Sequence, residues 1–183
     1  MPYDAPDLAS LNLTQIAEFA AARKLPPVTN WNPETSGDSE MRIAADGRWF
    51  HQDGEIKRPA MVRAFSSLLR RDGDGNHWLV TPHEKLSIIV EDAPLLAVEM
   101  QNEGDGEARR LAFRLNTDDL VIAGPDHELA LRDAIPYLHV RDGLWAKLAR
   151  SVYYELAELA LAENPETPGL WSGRQFFLIG ASA

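Results

Sequence analysis

The side chains with the most chemical potential in this sequence gather at turns and beside one long amphipathic segment. Thr81, Glu84 and Lys85 crowd a turn between two strand-like runs, Arg141 precedes the long segment, and Arg150 lies within it, four residues before Tyr154. Ser172 stands at a second hairpin turn, Gly173-Arg174. Arginine presents a planar fork suited to carboxylate or phosphate. Thr81, Glu84, Lys85, Arg141, Arg150 and Ser172 are therefore the expected ligand-binding residues, converging on a seam between two lobes, and a small, nucleotide-like anion is the expected ligand. Helix N-termini attract anions through their free N–H groups, but Asp142 is a good cap and competes for those donors.

Acid–base chemistry is the alternative. His51 and His139 fall at matching points of two similar segments, and either one with Glu84 supplies the pair of groups that hydrolysis of a phosphorylated metabolite needs within reach of one substrate atom. Other chemistries lack their residues. There is no cysteine, hence no thiol nucleophile and no Cys-ligated metal. Neither a phosphate loop nor a dinucleotide fingerprint occurs. His83-Glu84 lacks the second histidine of a zinc-protease helix. Asp72, Asp74 and Asn76 imitate the start of a calcium loop, but His77 replaces the required glycine and His83 the final glutamate. In Gly169-Leu170-Trp171-Ser172-Gly173 the serine comes one position too late for a nucleophile elbow. No metal, cofactor or catalytic residue is expected, and the leading reading is a non-catalytic binding or sensor protein, with a protein-interaction adaptor as a further alternative.

Charge narrows the partners. The net charge is −10, from 28 acids against 18 basic residues, and such a field repels duplex nucleic acid and anionic membranes. The start, Met1 to Asp7, carries two acids and no base, unlike a secretory signal, and no apolar run reaches the ~18 residues of a membrane span. A soluble cytoplasmic protein is expected.

The elements that must position these groups read as α+β. Asn12 caps a helix to Arg23, and an arm pinned by Trp31 runs on to residue 39. Strands at 42–45 and 48–51, a helix opened by Pro59 and strands at 77–81 and 85–90 make an N-terminal lobe over residues 40–92. Alternating strands near 96–100, 111–115, 120–123, 127–131 and 137–140 lead to a helix after Asp142-Gly143, with Trp145, Leu148, Val152, Leu156 and Ala160 on its apolar face and Tyr153 at its border. This C-terminal lobe, 93–183, ends in strands at 170–172 and 175–179. The order strand, Asp-Gly turn, helix, strand, strand occurs in both 48–90 and 136–180, which predicts two lobes related by internal duplication, each with antiparallel strands and one packed helix.

With these segments placed, the chain resembles the bacterial family of uncharacterised function called DUF1285. The resemblance rests on Met41-Arg42-Ile43 with Asp46-Gly47-x-Trp49, on Leu79-Val80-Thr81-Pro82-x-Glu84-Lys85, and on Val90-Glu91-Asp92-Ala93-Pro94. It continues through Pro136-Tyr137-Leu138-x-Val140-Arg141 and Arg150-x-Val152-Tyr153-Tyr154-Glu155-Leu156 to Trp171-Ser172-Gly173, roughly residues 26–180. His83 departs from the pattern, which has an apolar residue there, often valine. The resemblance implies a duplicated α+β core, a C-terminal half superficially like a pleckstrin-homology fold, and a nucleic-acid-like ligand held at the interface of the halves in a signalling role.

Overall fold

Tight turns at Asp46-Gly47 and Gln52-Asp53 fold the first strands back on one another. The computed structural model describes residues 8–22 and 24–180, which form two compact units. In lobe 1, β1 (Thr35–Ile43), β2 (Trp49–His51) and β3 (Gly54–Glu55) make a three-stranded meander. Gln52 and Asp53 take φ of 49° and 63°, the left-handed values that a two-residue hairpin matched to strand twist requires. Helix α2 (Pro59–Ser66) follows, opened by Pro59 at its first turn, where a missing N–H costs nothing. A second meander, β4 (Leu69–Arg71), β5 (His77–Val80) and β6 (Glu84–Val90), completes a sheet in the order β3-β2-β1-β6-β5-β4. One face buries Met41, Ile43, Trp49, Leu69, Leu79 and Ile88 against Val62 and Phe65 of α2. The preceding arm is held by an arginine rather than by Trp31, which is only half-buried. Arg70 Nη1 donates to the carbonyl oxygens of Trp31 (2.7 Å) and Val28 (3.2 Å).

Lobe 2 repeats this plan. β7 (Leu95–Glu103), β8 (Arg110–Leu115) and β9 (Leu120–Ile122) form one meander, and β10 (Leu129–Arg132), β11 (Ile135–Arg141) and β12 (Leu144–Leu148) the other, in the order β10-β11-β12-β7-β8-β9. In each lobe the first strand of the first meander pairs in parallel with the last strand of the second: Ile43 lies opposite Val90, and Ala146 opposite Leu95. Pairing is otherwise antiparallel. α3 (Arg150–Glu163) buries Val152, Leu156 and Ala160 in the lobe 2 core, and the hairpin β13 (Gly169–Ser172) and β14 (Gln175–Leu178) closes it with Leu170 and Phe177. The N-terminal helix α1 (Leu13–Ala22) belongs to this unit through Ile16, fully buried with Ala112 and Leu120. Asn12 Oδ1 accepts from the Gln15 N–H and Gln15 Oε1 from the Asn12 N–H, both at 2.9 Å, a reciprocal cap.

Four features depart from the sequence reading. Residues 144–148 are strand, not the first turn of a helix: Leu144, Ala146 and Leu148 are buried and Trp145 and Lys147 between them only partly so, a period of two, with 146–148 paired to β7. The helix starts at Arg150 with Ala149 as a cap that makes no side-chain hydrogen bond, so Asp142 serves the β11–β12 turn instead. Leu69 opens a strand where helical spacing extends α2. The repeat also has another register. It joins the six strands of 35–90 to the six of 95–148, so α2, inside the first set, and α3, after the second, are not counterparts.

The turn at Asp72 is carboxylate-built. Asp72 accepts from the Trp78 Nε1–H (2.9 Å) and from the backbone N–H groups of Asn76 (2.9 Å) and Asp74 (3.0 Å). These bonds, that from Trp78 foremost, hold its carboxyl below the usual carboxylate range. A native pKa below the unfolded value means a contribution that is complete above about pH 4 and lost as pH falls through the native value. Wild type should therefore exceed Asp72→Asn in urea midpoint at pH 7, and the gap should narrow at pH 3. A gap independent of pH would show that the carboxylate charge plays no part.

Candidate ligand-binding site

α2 is only two turns long, and its Met61 and Phe65 lie at one end of the lobe 1 sheet. There a cavity of about 370 Å³ is walled by Met41, Ile56, Met61, Phe65, Leu68, Leu79 and Leu86, with Ser39, His51, Thr81 and Glu84 among its polar neighbours. Strand alternation explains the set. Met41 lies opposite His51, and Leu79 opposite Leu86, on the face that α2 packs against. His51 and Glu84 are exposed, so they stand where the cavity meets solvent.

The hydroxyls in this cleft are engaged with backbone. Thr81 Oγ1 donates to the Glu84 carbonyl (3.2 Å) and accepts from the N–H groups of His83 (3.3 Å) and Glu84 (3.1 Å). Ser39 Oγ donates to the Ser87 carbonyl (2.7 Å) and accepts from the Met41 N–H (3.1 Å). Among the described residues, no hydrogen bond or ion pair engages the Glu84 carboxylate or the His51 ring.

Of the residues expected to form a site, the structure thus brings Thr81 and Glu84 to one cavity. Lys85 leaves by the opposite face of β6, where its Nζ lies 4.6 Å from the Trp78 ring centroid. Arg141, half-buried, ends β11, and Arg150 is the exposed first residue of α3, both within lobe 2. Ser172 is fully buried. Its Oγ donates to the Ala123 carbonyl (2.7 Å) and accepts from the Leu111 N–H (2.9 Å), stapling the β13–β14 hairpin to β8 and to the end of β9. Gly173 continues that staple at φ 58°, with backbone so close that a Cβ would lie 3.0 Å from the Ala123 oxygen and the Gly124 Cα.

The two histidines are not counterparts. His51 is on the second strand of its sheet's repeat and His139 on the fifth. His139 Nδ1 lies 3.3 Å from the Asp126 carbonyl oxygen, and its ring meets Trp145 edge-on at 5.1 Å. Among the described residues no group of three or more histidine, aspartate or glutamate side chains is arranged to hold a metal ion. Likewise, no helix of the described residues is long and apolar enough to cross a membrane.

Comparison with known proteins gives the family. The model of the DUF1285 N-terminal domain, a domain of unknown function, matches residues 26–93, and that of the DUF1285 C-terminal domain matches 94–179. The chain belongs to the DUF1285 family. A DUF1285 protein of known structure from Silicibacter pomeroyi DSS-3 is 41% identical with a TM-score of 0.78, covering 91% of this chain and 94% of that one. Another, from Shewanella baltica OS155, is 29% identical with a TM-score of 0.53 over 64% of this chain and 90% of its own. No curated protein matches the sequence. The boundary between the two DUF1285 domains falls between β6 and β7, where one six-stranded sheet ends and the next begins.

Proposed function

We propose that this protein is a non-catalytic binding or sensor module of the cytoplasm that takes up a small molecule in the lobe 1 cleft. One observation carries the reading: an apolar cavity of about 370 Å³ with polar groups at its opening. Ligand pockets of ~300–1,000 Å³ with mostly apolar walls and a few placed polar groups are the common form. An anionic, nucleotide-like ligand suits this cleft poorly, because its lining has the carboxylate of Glu84 and neither arginine nor lysine.

Met61 is 37% exposed at the cleft, so Met61→Trp should narrow the cavity and leave the fold intact. A thermal-shift screen of cationic, neutral and anionic metabolites tests the proposal. A ligand at 100 times its Kd stabilises by about 2.7 kcal/mol, and the shift should disappear in Met61→Trp. If nothing shifts the wild type at millimolar concentration, or every shift survives in Met61→Trp, the cleft is not a binding site.

A second reading has an observation of its own, since His51 and Glu84 border the same cavity and could act as acid and base on one substrate. It predicts turnover of a chromogenic phosphomonoester that is abolished in both His51→Ala and Glu84→Gln. Absence of turnover in the wild type rejects it.

A further inference from the structure

We infer that the lobe 1 cleft selects a molecule with an apolar body and a protonated amine. This rests on the cleft being a binding site and adds the class of ligand. Four polar side chains line the cavity, and two of them, Ser39 and Thr81, already direct their hydroxyl protons to backbone carbonyls and accept backbone N–H groups. The polar atoms left for a ligand are the Glu84 carboxylate, an acceptor only, and the His51 imidazole.

Charge decides between head groups. Lys85, the nearest cation in sequence, is drawn over Trp78 on the other face of the sheet, and the chain as a whole carries −10. A carboxylate or phosphate would enter beside Glu84 with no guanidinium or ammonium in the lining to offset the repulsion. A protonated amine instead gains a charge-assisted hydrogen bond to Glu84 at the mouth of the cavity, about twice as strong as a neutral one, while its body enters the apolar walls. The His51 imidazole can accept a further N–H.

The walls constrain the body less than Glu84 constrains the head. Met41 and Met61 contribute flexible thioether chains that repack around different shapes, while Phe65, Leu68, Leu79 and Leu86 demand only that the body be apolar. Aryl and alkyl amines are both admitted.

Calorimetric titration of the full chain at pH 7.5 and low salt with two matched series tests this. One series is tryptamine, tryptophol and indole-3-acetate; the other is hexylamine, hexanol and hexanoate. In at least one series the amine should bind roughly tenfold more tightly than its alcohol, the difference between charged and neutral hydrogen bonds, and the carboxylate least. Glu84→Gln, a change at an exposed hairpin position, should remove about that tenfold for the amine and leave the alcohol within about twofold. Met61→Trp should weaken amine and alcohol together. If the alcohol matches the amine, or amine binding is indifferent to Glu84→Gln, the amine preference is wrong while the cleft stands as a site. Preferential binding of the carboxylates overturns it likewise. If no member of either series binds, or amine binding persists in Met61→Trp, the inference fails together with the cleft.

Discussion

Trp49→Ala should lower the stability of lobe 1 by about 3–5 kcal/mol, the range for truncating a fully buried aromatic ring. Trp49 is 1% exposed, stacks on Phe65 with centroids 6.5 Å apart, and sits among Met41, Ile43, Leu69, Leu79 and Ile88. Truncation therefore leaves a void enclosed by sheet and helix. Trp49→Phe should cost clearly less, because the indole Nε1–H is buried with no acceptor among the described residues, and the substitution removes that unpaired donor. Trp145→Ala should cost only about 1–2 kcal/mol, a half-buried ring whose contacts are an edge to His139 and the Arg132 guanidinium at 4.4 Å. Urea titrations followed by far-UV circular dichroism rank the three. Equal losses for Trp49→Ala and Trp145→Ala would mean that Trp49 does not centre the lobe 1 core.

That contrast shows what local pattern can and cannot decide. Leu144-Trp145-Ala146-Lys147-Leu148 satisfies a period of two through 144, 146 and 148, and a helical period through 145, 148, 149 and 152. Sequence reading takes the helix and buries Trp145. The decision is made by β7, some fifty residues earlier, whose edge pairs with β12. Both parallel pairs are illegible for the same reason, since each joins strands whose connection runs through several others. By contrast, the hairpin at 173–174, the α3 face of Val152, Leu156 and Ala160, and the Asn12 cap are local, and the sequence reading matches them, whereas the turn at 72–76, read as the end of the α2 helix, joins β4 to β5.

The cleft divides along the same line. Thr81 and Glu84 share a turn and reach one cavity, but alternation along β6 already puts Glu84 and Leu86 on one face and Lys85 on the other. That signal alone separates Lys85 from Glu84. The walls carry no such signal. Met41, Ile56, Leu79 and Leu86 come from separate segments and Met61 and Phe65 from α2, each spaced like an ordinary core residue, and only the tertiary fold brings them to one cavity. Ser172 misleads in the opposite sense. A serine beside a hairpin turn suits a ligand, yet its hydroxyl is the buried bridge from Leu111 to Ala123.

Glu163→Ala should destabilise lobe 2 by about 2–4 kcal/mol, somewhat below the ~3–5 kcal/mol for breaking a fully buried pair. Arg109 is 4% exposed, and its Nη2 donates to Glu163 Oε1. The Nε and Nη1 groups have no acceptor among the described residues, so the guanidinium is desolvated and only partly repaid. Removing Glu163 strands that charge. The cost is moderated because the Glu163 side chain is 37% exposed, and water can take up part of the lost contact. Glu163 also ends α3, where a negative charge is disfavoured by the helix dipole, and Arg109 offsets that too. Arg109→Met removes the buried charge along with its unpaired donors, so Arg109→Met with Glu163→Ala should lie within about 1 kcal/mol of wild type or above it, and a double-mutant cycle in urea should show strong coupling. Additive losses, or a Glu163→Ala variant as stable as wild type, would reduce the pair to an ordinary surface contact.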